Sequence, residues 1–334
     1  MLLEDFSEPR LIQVIKNICP EGPGIIIGIG DDAAVLALEP GSRIVATSDM
    51  LVEGIHFDRN FISAYQLGWK SLAVNLSDVA AMGGTPRFAL VSLGLTENTE
   101  LHFVEDFYYG FKRIGEQFTT YLCGGDTVKS PSGIIVSVTV LGSIEAGKIL
   151  TRSGARPGDL VAVTGVLGSS AAGLALFQKG ILGRFSPEVE EELKKAHLEP
   201  LPRVREGQIL LARDIATAAN DISDGLAVEV REIAAASEVG AIIYGNKIPI
   251  SKATVTVARF LGEDPLQWAL GGGEDYELVF TFPPEKMGVL KELKIPVTII
   301  GEIKEKEFGV FVDIDGKMCN LEGYGYDHFK KKNQ

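Results

Sequence analysis

The chain has 334 residues, more than one hydrophobic core usually serves, which predicts two domains. Its net charge of −13 with 46% hydrophobic residues describes a folded acidic protein and excludes nucleic acid as the main partner, because phosphate backbones require a basic surface. It does not exclude a small phosphorylated ligand, since bound metal can bring the positive charge.

The first residues are acidic and lack the basic and apolar regions of a signal peptide. No apolar run approaches the roughly 18 residues that span a bilayer. Cys19, Cys123 and Cys319 are widely spaced, which argues against a disulfide framework or a zinc site and for a cytoplasmic location.

In chain order, Arg43 to Thr47, Phe88 to Leu93 and Ile134 to Leu141 read as strands. Between them, Phe61, Tyr65, Leu72, Leu76 and Val79 recur at helical spacing, as do Phe103, Phe107, Phe111, Ile114 and Phe118. Asn75 and Asp78 share one face of the first of these helices, beside its apolar stripe. A turn-rich segment from Thr151 to Asp159 predicts a boundary, giving domains 1–150 and 151–334. Beyond it, Leu160 to Thr164 reads as a strand and Ser169 to Phe177 as a small-residue helix. Helices are expected near Glu188 to Lys195, Val204 to Arg213 and Leu226 to Ala236. Strands are expected near Ala241 to Tyr244, Tyr276 to Phe282, Val297 to Ile300 and Val310 to Asp313. The polar stretch from Lys179 to Glu192 reads as a surface excursion, and the basic end from Lys330 as a frayed tail.

Five short acidic motifs punctuate these elements: Gly30-Asp31-Asp32, Thr47-Ser48-Asp49, Asn75 to Asp78, Gly124-Gly125-Asp126 and Asp221 to Gly225. Hard oxygen donors in that number suit Mg²⁺. Each has an ordinary alternative. Asp31-Asp32 reads as a solvated turn or as a metal-binding pair whose mutual repulsion a cation would relieve. Thr47-Ser48-Asp49 ends a strand and offers either metal ligands or a helix N-cap. The paired glycines of Gly124-Gly125-Asp126 admit an anion or form a hairpin turn. Asp221 and Ser223 share one side of a strand end, with Asp224 placed to cap the helix from Leu226. Gly271 to Asp275 repeats the glycine-then-acid pattern or makes a β-turn.

His56 is a candidate for an anionic substrate or a structural residue, and Arg152 for a phosphate clamp or a linker anchor. Tyr108 lies out of phase with the phenylalanine stripe, which leaves it for a ligand or for solvent. Tyr324, Tyr326, His328 and Phe329 form an aromatic cluster, suited to core packing or to stacking on a heterocycle. The P-loop GxxxxGK[ST], the kinase HRD and DFG triplets and HExxH are all missing. Gly28-Ile29-Gly30 opens like a dinucleotide fingerprint, but Asp31 and Asp32 would repel a pyrophosphate.

Taken in order, these segments resemble the thiamine-monophosphate kinases, within the superfamily of aminoimidazole ribonucleotide synthetase and selenophosphate synthetase. The matching stretches are GIGDDAAV from Gly28, TSDMLVEGIHF from Thr47, GWKSLAVNLSDVAAMGG from Gly68, GGD at Gly124, LTRSGARPGDLVAVTG from Leu150, HLEPLPR from His197, DISDGL from Asp221, GGGEDYELVF from Gly271 and GYDHF from Gly325. The resemblance implies an N-terminal α/β domain whose sheet forms a β-barrel across a homodimer, and a C-terminal α+β domain closing a cleft that holds ATP and several Mg²⁺ ions. It implies Asp32, Thr47, Ser48, Asp49, Asp78, Asp126, Asp221 and Asp224 as metal ligands. Tyr108, Gly125, Asp126, Arg152 and Ser223 would touch ATP, and His56, Glu274 and Tyr326 the substrate, thiamine monophosphate. The family often carries Trp at or near Tyr326.

The reaction so implied moves the γ-phosphoryl of ATP directly, in line, to thiamine monophosphate, with the metal cluster rather than a side chain as catalyst. Two other readings are open: another ATP-dependent synthetase of the superfamily, and a non-catalytic sensor of Mg-ATP. A selenophosphate synthetase would need a reactive Cys in a glycine-rich setting, which Cys19 lacks.

Overall fold

The computed structural model describes residues 8–30, 32–293 and 295–325. The chain divides into two compact units, Met1–Val79 with Gly84–Lys148, and Ala80–Gly83 with Ile149–Gln334.

The first unit runs α1 (Glu8–Ile18), β1 (Ile25–Ile27), β2 (Val35–Leu36), β3 (Ser42–Val52), α2 (Ala64–Ala81), β4 (Thr85–Leu95), α3 (Leu101–Phe118), β5 (Tyr121–Lys129) and β6 (Ile135–Glu145). β1 and β2 pair as an antiparallel ribbon, while the main sheet has the order β3-β6-β4-β5. The β4 and β5 strands are parallel because α3 carries the chain back between them. The helices α2 and α3 pack so closely that only glycine fits at their crossing. A Cβ on Gly68 would lie 1.8 Å from the Phe107 carbonyl oxygen, and one on Gly110 would lie 1.8 Å from that of Tyr65.

β6 alternates half-buried and buried residues along most of its length, so one face of this sheet is covered. The opposite face carries Ile44, Met50 and Val128 at 59%, 55% and 54% exposure in the single chain. Met50, Ser137, Ser92 and Asp126 lie in one row across that face, by register.

The second unit runs β7 (Leu160–Thr164), α4 (Ser169–Gln178), α5 (Pro187–Leu198), α6 (Val204–Ala212), β8 (Ala218–Asp221), α7 (Leu226–Ser237), β9 (Gly240–Tyr244), α8 (Lys252–Leu261), α9 (Pro265–Gly271), β10 (Leu278–Phe282), α10 (Met287–Glu292), β11 (Val297–Lys304), β12 (Val310–Ile314) and β13 (Lys317–Asn320). Its strands are ordered β13-β12-β9-β11-β7-β10-β8, all neighbours antiparallel except β9 and β12. Every residue of β8 and β10 is buried, as expected of strands covered on both faces. Val161, Val163, Ile222, Leu226, Val230, Ile243 and Val279 are central to the core of this unit.

Four local expectations are corrected. Phe61 precedes α2, which starts at Ala64. Gly124-Gly125-Asp126 is no turn: β5 runs straight through it, and a Cβ on Gly125 would meet the Val91 carbonyl oxygen at 1.9 Å. The Lys179 to Glu192 stretch is not merely a surface excursion, since Ile181, Phe185 and Val189 pack on a core of Leu176, Leu193 and Val257. Their spacing is hidden in a polar sequence because the turn before α5 folds them inward together. Finally, α8 and α9 occupy a region where neither helix was anticipated.

Candidate active site

Thr47, Ser48 and Asp49 lie in the middle of β3 rather than at its end, so the N-cap reading fails: Met50 to Val52 continue the strand. Pleating then separates the three side chains. Thr47 and Asp49 face α2, where the Thr47 hydroxyl donates to the Asp78 carboxylate and the Asp49 N–H donates to Asn75 Oδ1 at 3.1 Å. Asn75 is itself aimed by donating to the Ser71 carbonyl at 3.1 Å. Asn75 and Asp78, three apart on α2, therefore read consecutive odd positions of one strand. Ser48 points to the other face, 2.9 Å from the Thr139 hydroxyl.

Burial raises the Asp49 carboxyl to about 6, and the nearby Asp78 carboxylate adds to the rise. Two carboxylates and a hydroxyl gathered at the cost of mutual repulsion are hard oxygen donors of the kind Mg²⁺ binds. This trio fits a divalent cation. The remaining candidates of the first unit stand apart from it. Asp32 is exposed in the loop joining β1 to β2, a loop braced where Lys16 Nζ donates to the Ile29 carbonyl at 2.8 Å. Asp126 belongs to the exposed row with Ser92 and Ser137, on the sheet face opposite Asp49, and its carboxylate accepts from the Thr127 N–H at 2.8 Å. Gly125, its neighbour on β5, is exposed backbone on the edge strand. Among the described residues, no three His, Cys, Asp or Glu side chains come together as a metal-binding group.

His56 follows β3 in a tight turn, with its N–H on the Val52 carbonyl at 2.9 Å and its Nδ1 accepting from the Val52 N–H at 3.0 Å. That acceptor role assigns the proton of the neutral ring to Nε2. Tyr108 corrects the sequence reading. It is 2% exposed, edge-on to Phe107, and part of a ring cluster with Phe111. One residue out of phase with the stripe, it is still buried, and the Cys19 thiol just after α1 contacts its carbonyl, so it is neither solvated nor open in the single chain.

In the second unit, Asp221 ends β8 and is buried, while Ser223 and Asp224 are half-buried in the loop that follows. Asp224 does not cap α7. Gly225 occupies the N-cap position, and the Asp224 N–H donates instead to Glu229 Oε1 at 3.1 Å. Glu229 reaches back from the helix and also accepts from Asn220, so it braces both ends of the Asp221–Asp224 loop. Its own carboxyl is pushed up, first by burial and then by Asp221. Arg152 lies over this end of the unit, with Nε donating to Asn220 Oδ1 at 3.1 Å and an ion pair to Glu232 at 3.2 Å.

The Gly271 to Glu277 segment is not a simple β-turn. Its backbone extends the β8–β10 ladder: Glu274 N–H donates to the Ser223 carbonyl at 2.7 Å and Tyr276 N–H to that of Ile222 at 2.9 Å. Three acids in four positions then diverge to three partners. Glu274 meets His197 at 3.3 Å, and Asp275 accepts from the Gly168 and Ser170 N–H groups at the N-terminus of α4. Glu277 takes a bidentate pair of 2.5 Å bonds from Arg203. Sequence reasoning gave a role to Glu274 alone and noted Asp275 only as part of a glycine-then-acid pattern. His197 and Arg203 sat in a quoted motif, HLEPLPR, without a role. Their six-residue spacing across an irregular Pro-rich turn gives no periodic signal. Tyr326 lies outside the described residues, while Tyr324 packs on the core.

Comparison with known proteins defines the class. Residues 30–144 match the AIR synthase related protein N-terminal domain, and residues 156–313 match the C-terminal domain of the same description. A thiamine-monophosphate kinase of Bacillus subtilis is 40% identical over 91% of this chain and 94% of its own. The crystal structure of thiamine-monophosphate kinase from Stenotrophomonas maltophilia superposes with a TM-score of 0.82 at 39% identity, covering 92% of this chain and 96% of that one. A structure described as AaThiL complexed with AMPPCP and TMP gives 0.78 at 38% identity, over 98% and 99% of the two chains. The chain belongs to the thiamine-monophosphate kinase family.

Proposed function

We propose that this chain transfers the γ-phosphoryl group of ATP to thiamine monophosphate, giving thiamine diphosphate and ADP. The observation that carries the reading is the likeness, at close to 40% identity and nearly full length, to enzymes named for that reaction, one of them described in complex with AMPPCP and TMP. The Thr47, Asp49 and Asp78 arrangement supports it chemically.

In this reading the acceptor phosphate, with a second pKa of about 6, is already largely dianionic at neutral pH, so no general base is required. The obstacle is repulsion between two anions. Magnesium, when bound, would neutralise that charge and orient the reacting oxygens. Asp32, Thr47, Ser48, Asp49, Asp78, Asp126, Asp221 and Asp224 would hold it. Ser48 and Asp126 lie on the sheet face opposite Asp49, so their part in that set is the least supported by the geometry. Arg152, Ser223, Gly125 and Tyr108 would contact ATP. Arg152 would exchange Glu232 for a phosphate, and Tyr108 would have to leave its ring cluster or act through its backbone. His56, Glu274 and Tyr326 would recognise thiamine monophosphate.

We further read the exposed face of the β3-β6-β4-β5 sheet as the surface on which two copies pair to close a barrel. The exposed Ile44, Met50 and Val128 support this. Three cysteines free of disulfides and the absence, among the described residues, of a helix able to cross a membrane accord with a cytoplasmic enzyme. The selenophosphate alternative loses support because Cys19 is buried and its thiol is pushed up to about 12.

The test is incubation with Mg-ATP and thiamine monophosphate, followed by chromatography. Thiamine diphosphate and ADP in equal amounts are expected. No diphosphate, or equal product from free thiamine, would overturn the assignment. Tight Mg-ATP binding without turnover would identify the sensor instead.

A further inference from the structure

The strap from Glu274 to Glu277 and the stretch from His197 to Arg203 hold each other at two points, His197 to Glu274 and Arg203 to Glu277. The second point is a structural ion pair, bidentate and part-buried. The first has a different character. His197, in the last turn of α5, is 8% exposed, whereas Glu274 keeps 28% of its side chain open. His197 Nδ1 lies 3.0 Å from the Ser170 hydroxyl and 3.3 Å from Glu274 Oε2. With the proton on Nδ1, the ring donates to the carboxylate, and Ser170 completes the arrangement from the first turn of α4.

This ring has little freedom to move. A Cβ on Gly173 of α4 would meet the Leu193 carbonyl oxygen at 2.1 Å and the His197 Cβ at 3.0 Å, so α5 lies directly on α4 at this point. Glu274 is constrained as well. Its φ is 55°, a left-handed conformation that a non-glycine residue keeps only when its surroundings impose it. The imposing contacts are its own N–H on the Ser223 carbonyl at 2.7 Å and the side-chain contact with His197. Its neighbour Asp275 closes the loop by accepting from Ser170, the residue whose hydroxyl meets His197.

We propose that His197 is a positioning residue for substrate recognition, holding the Glu274 carboxylate in one orientation toward the cationic heterocycle of thiamine monophosphate. The imidazole meets one oxygen of Glu274, and 28% of the side chain stays exposed on the side where a ligand would approach. The inference rests on the proposed function, through the assignment of Glu274 to the substrate. A fixed carboxylate recognises a permanently charged, planar ring better than one free to rotate, because orientation is prepaid in the fold. A purely structural His197 would affect both substrates alike or affect stability alone.

The experiment measures KM for thiamine monophosphate and for ATP separately in the full-length chain. We expect H197A to raise the KM for thiamine monophosphate about ten-fold with the KM for ATP within about two-fold. H197N, whose amide N–H falls where Nδ1 stands, should restore most of the loss. In the H197A/E274A pair the substrate KM should equal that of E274A alone, since His197 acts only through Glu274. If H197A does not fold, S170A carries the test, with a smaller rise of about three-fold confined to thiamine monophosphate. Unchanged substrate KM, an equal rise for ATP, or multiplying effects in the double variant would each overturn the proposal. Absence of any thiamine diphosphate from the unaltered chain would instead overturn the function on which it rests.

Discussion

The Thr47 hydroxyl on β3 donates a hydrogen bond to the Asp78 carboxylate on α2, tying a strand interior to a helix face beside Asp49. The Asp49 N–H reaches Asn75 one turn earlier on the same helix, so the two elements are pinned at two points about one turn apart. The arrangement gathers two acids that repel each other, and burial first, then that repulsion, raises the Asp49 carboxyl to about 6. Such a pair suits the cation proposed for this site, and the first prediction concerns it.

Asp78→Asn keeps an acceptor for Thr47 but removes the charge. Turnover at saturating ATP should fall by at least about 100-fold, while circular dichroism and the melting temperature of the metal-free protein stay unchanged or improve. Near-normal activity would show that Asp78 is not a ligand.

Asp275 offers a pH signature. Burial raises its carboxyl to about 7 despite the two N–H groups of the α4 terminus, which favour ionisation. The unfolded chain ionises this group at its ordinary value of 3.8, so between about 4 and 7 the folded state holds a proton that the unfolded state has lost. The stabilisation from this group is therefore full below about 4 and is lost as pH rises through about 7. Asp275→Asn should flatten that part of the melting-temperature profile in calorimetry. Parallel profiles for the two proteins would contradict the assignment.

The α2–α3 crossing predicts a steric cost. Gly110→Ala places a methyl group against the Tyr65 carbonyl, where a separation of 1.8 Å leaves no room. The helices must part, and urea unfolding should show a loss of about 3 kcal/mol, more than the alanine gains in helix propensity. A neutral or stabilising effect would mean the crossing is looser than described.

The Arg203–Glu277 pair calls for a double-mutant cycle. Glu277 also accepts from the Thr164 hydroxyl at 2.5 Å, so removing Arg203 leaves a buried carboxylate with one neutral donor. Arg203→Met should cost about 3–5 kcal/mol in chemical denaturation. Adding Glu277→Gln should recover a good part of that, because the uncompensated charge disappears. Simple additivity of the two losses would sink this account.

Periodicity located most of the elements that build the two sheets. The expected strand at Leu160 to Thr164 is β7, and the alternation of apolar and polar residues in β6 marks a sheet with one covered face. Elsewhere local patterns were silent or pointed to the wrong alternative. Lys252-Ala253-Thr254-Val255-Thr256-Val257 is rich in β-branched residues yet forms α8, because Ser251 caps it on the Thr254 N–H at 3.1 Å and Ala253 and Val257 pack into a helical core. Paired glycines left a turn open at Gly124-Gly125, but β5 runs through them and needs Gly125 for its close approach to Val91 of β4.

Of the candidate site, the acidic motifs were legible as oxygen donors because their residue types and order are a property of the chain alone. Their company was not. The two-residue repeat of β3 decides that Thr47 and Asp49 join Asp78 while Ser48 turns away, and only the register of β3, β6, β4 and β5 shows Asp126 on that other face. His197 and Arg203 acquire partners 77 and 74 residues distant, His197 on Glu274 and Arg203 on Glu277. Sequence by itself determined which chemistry the chain carries and which family it resembles, since these follow from residue identity and order. Tertiary structure alone decided which of those groups meet, because burial and pairing across long loops depend on packing that no local pattern encodes.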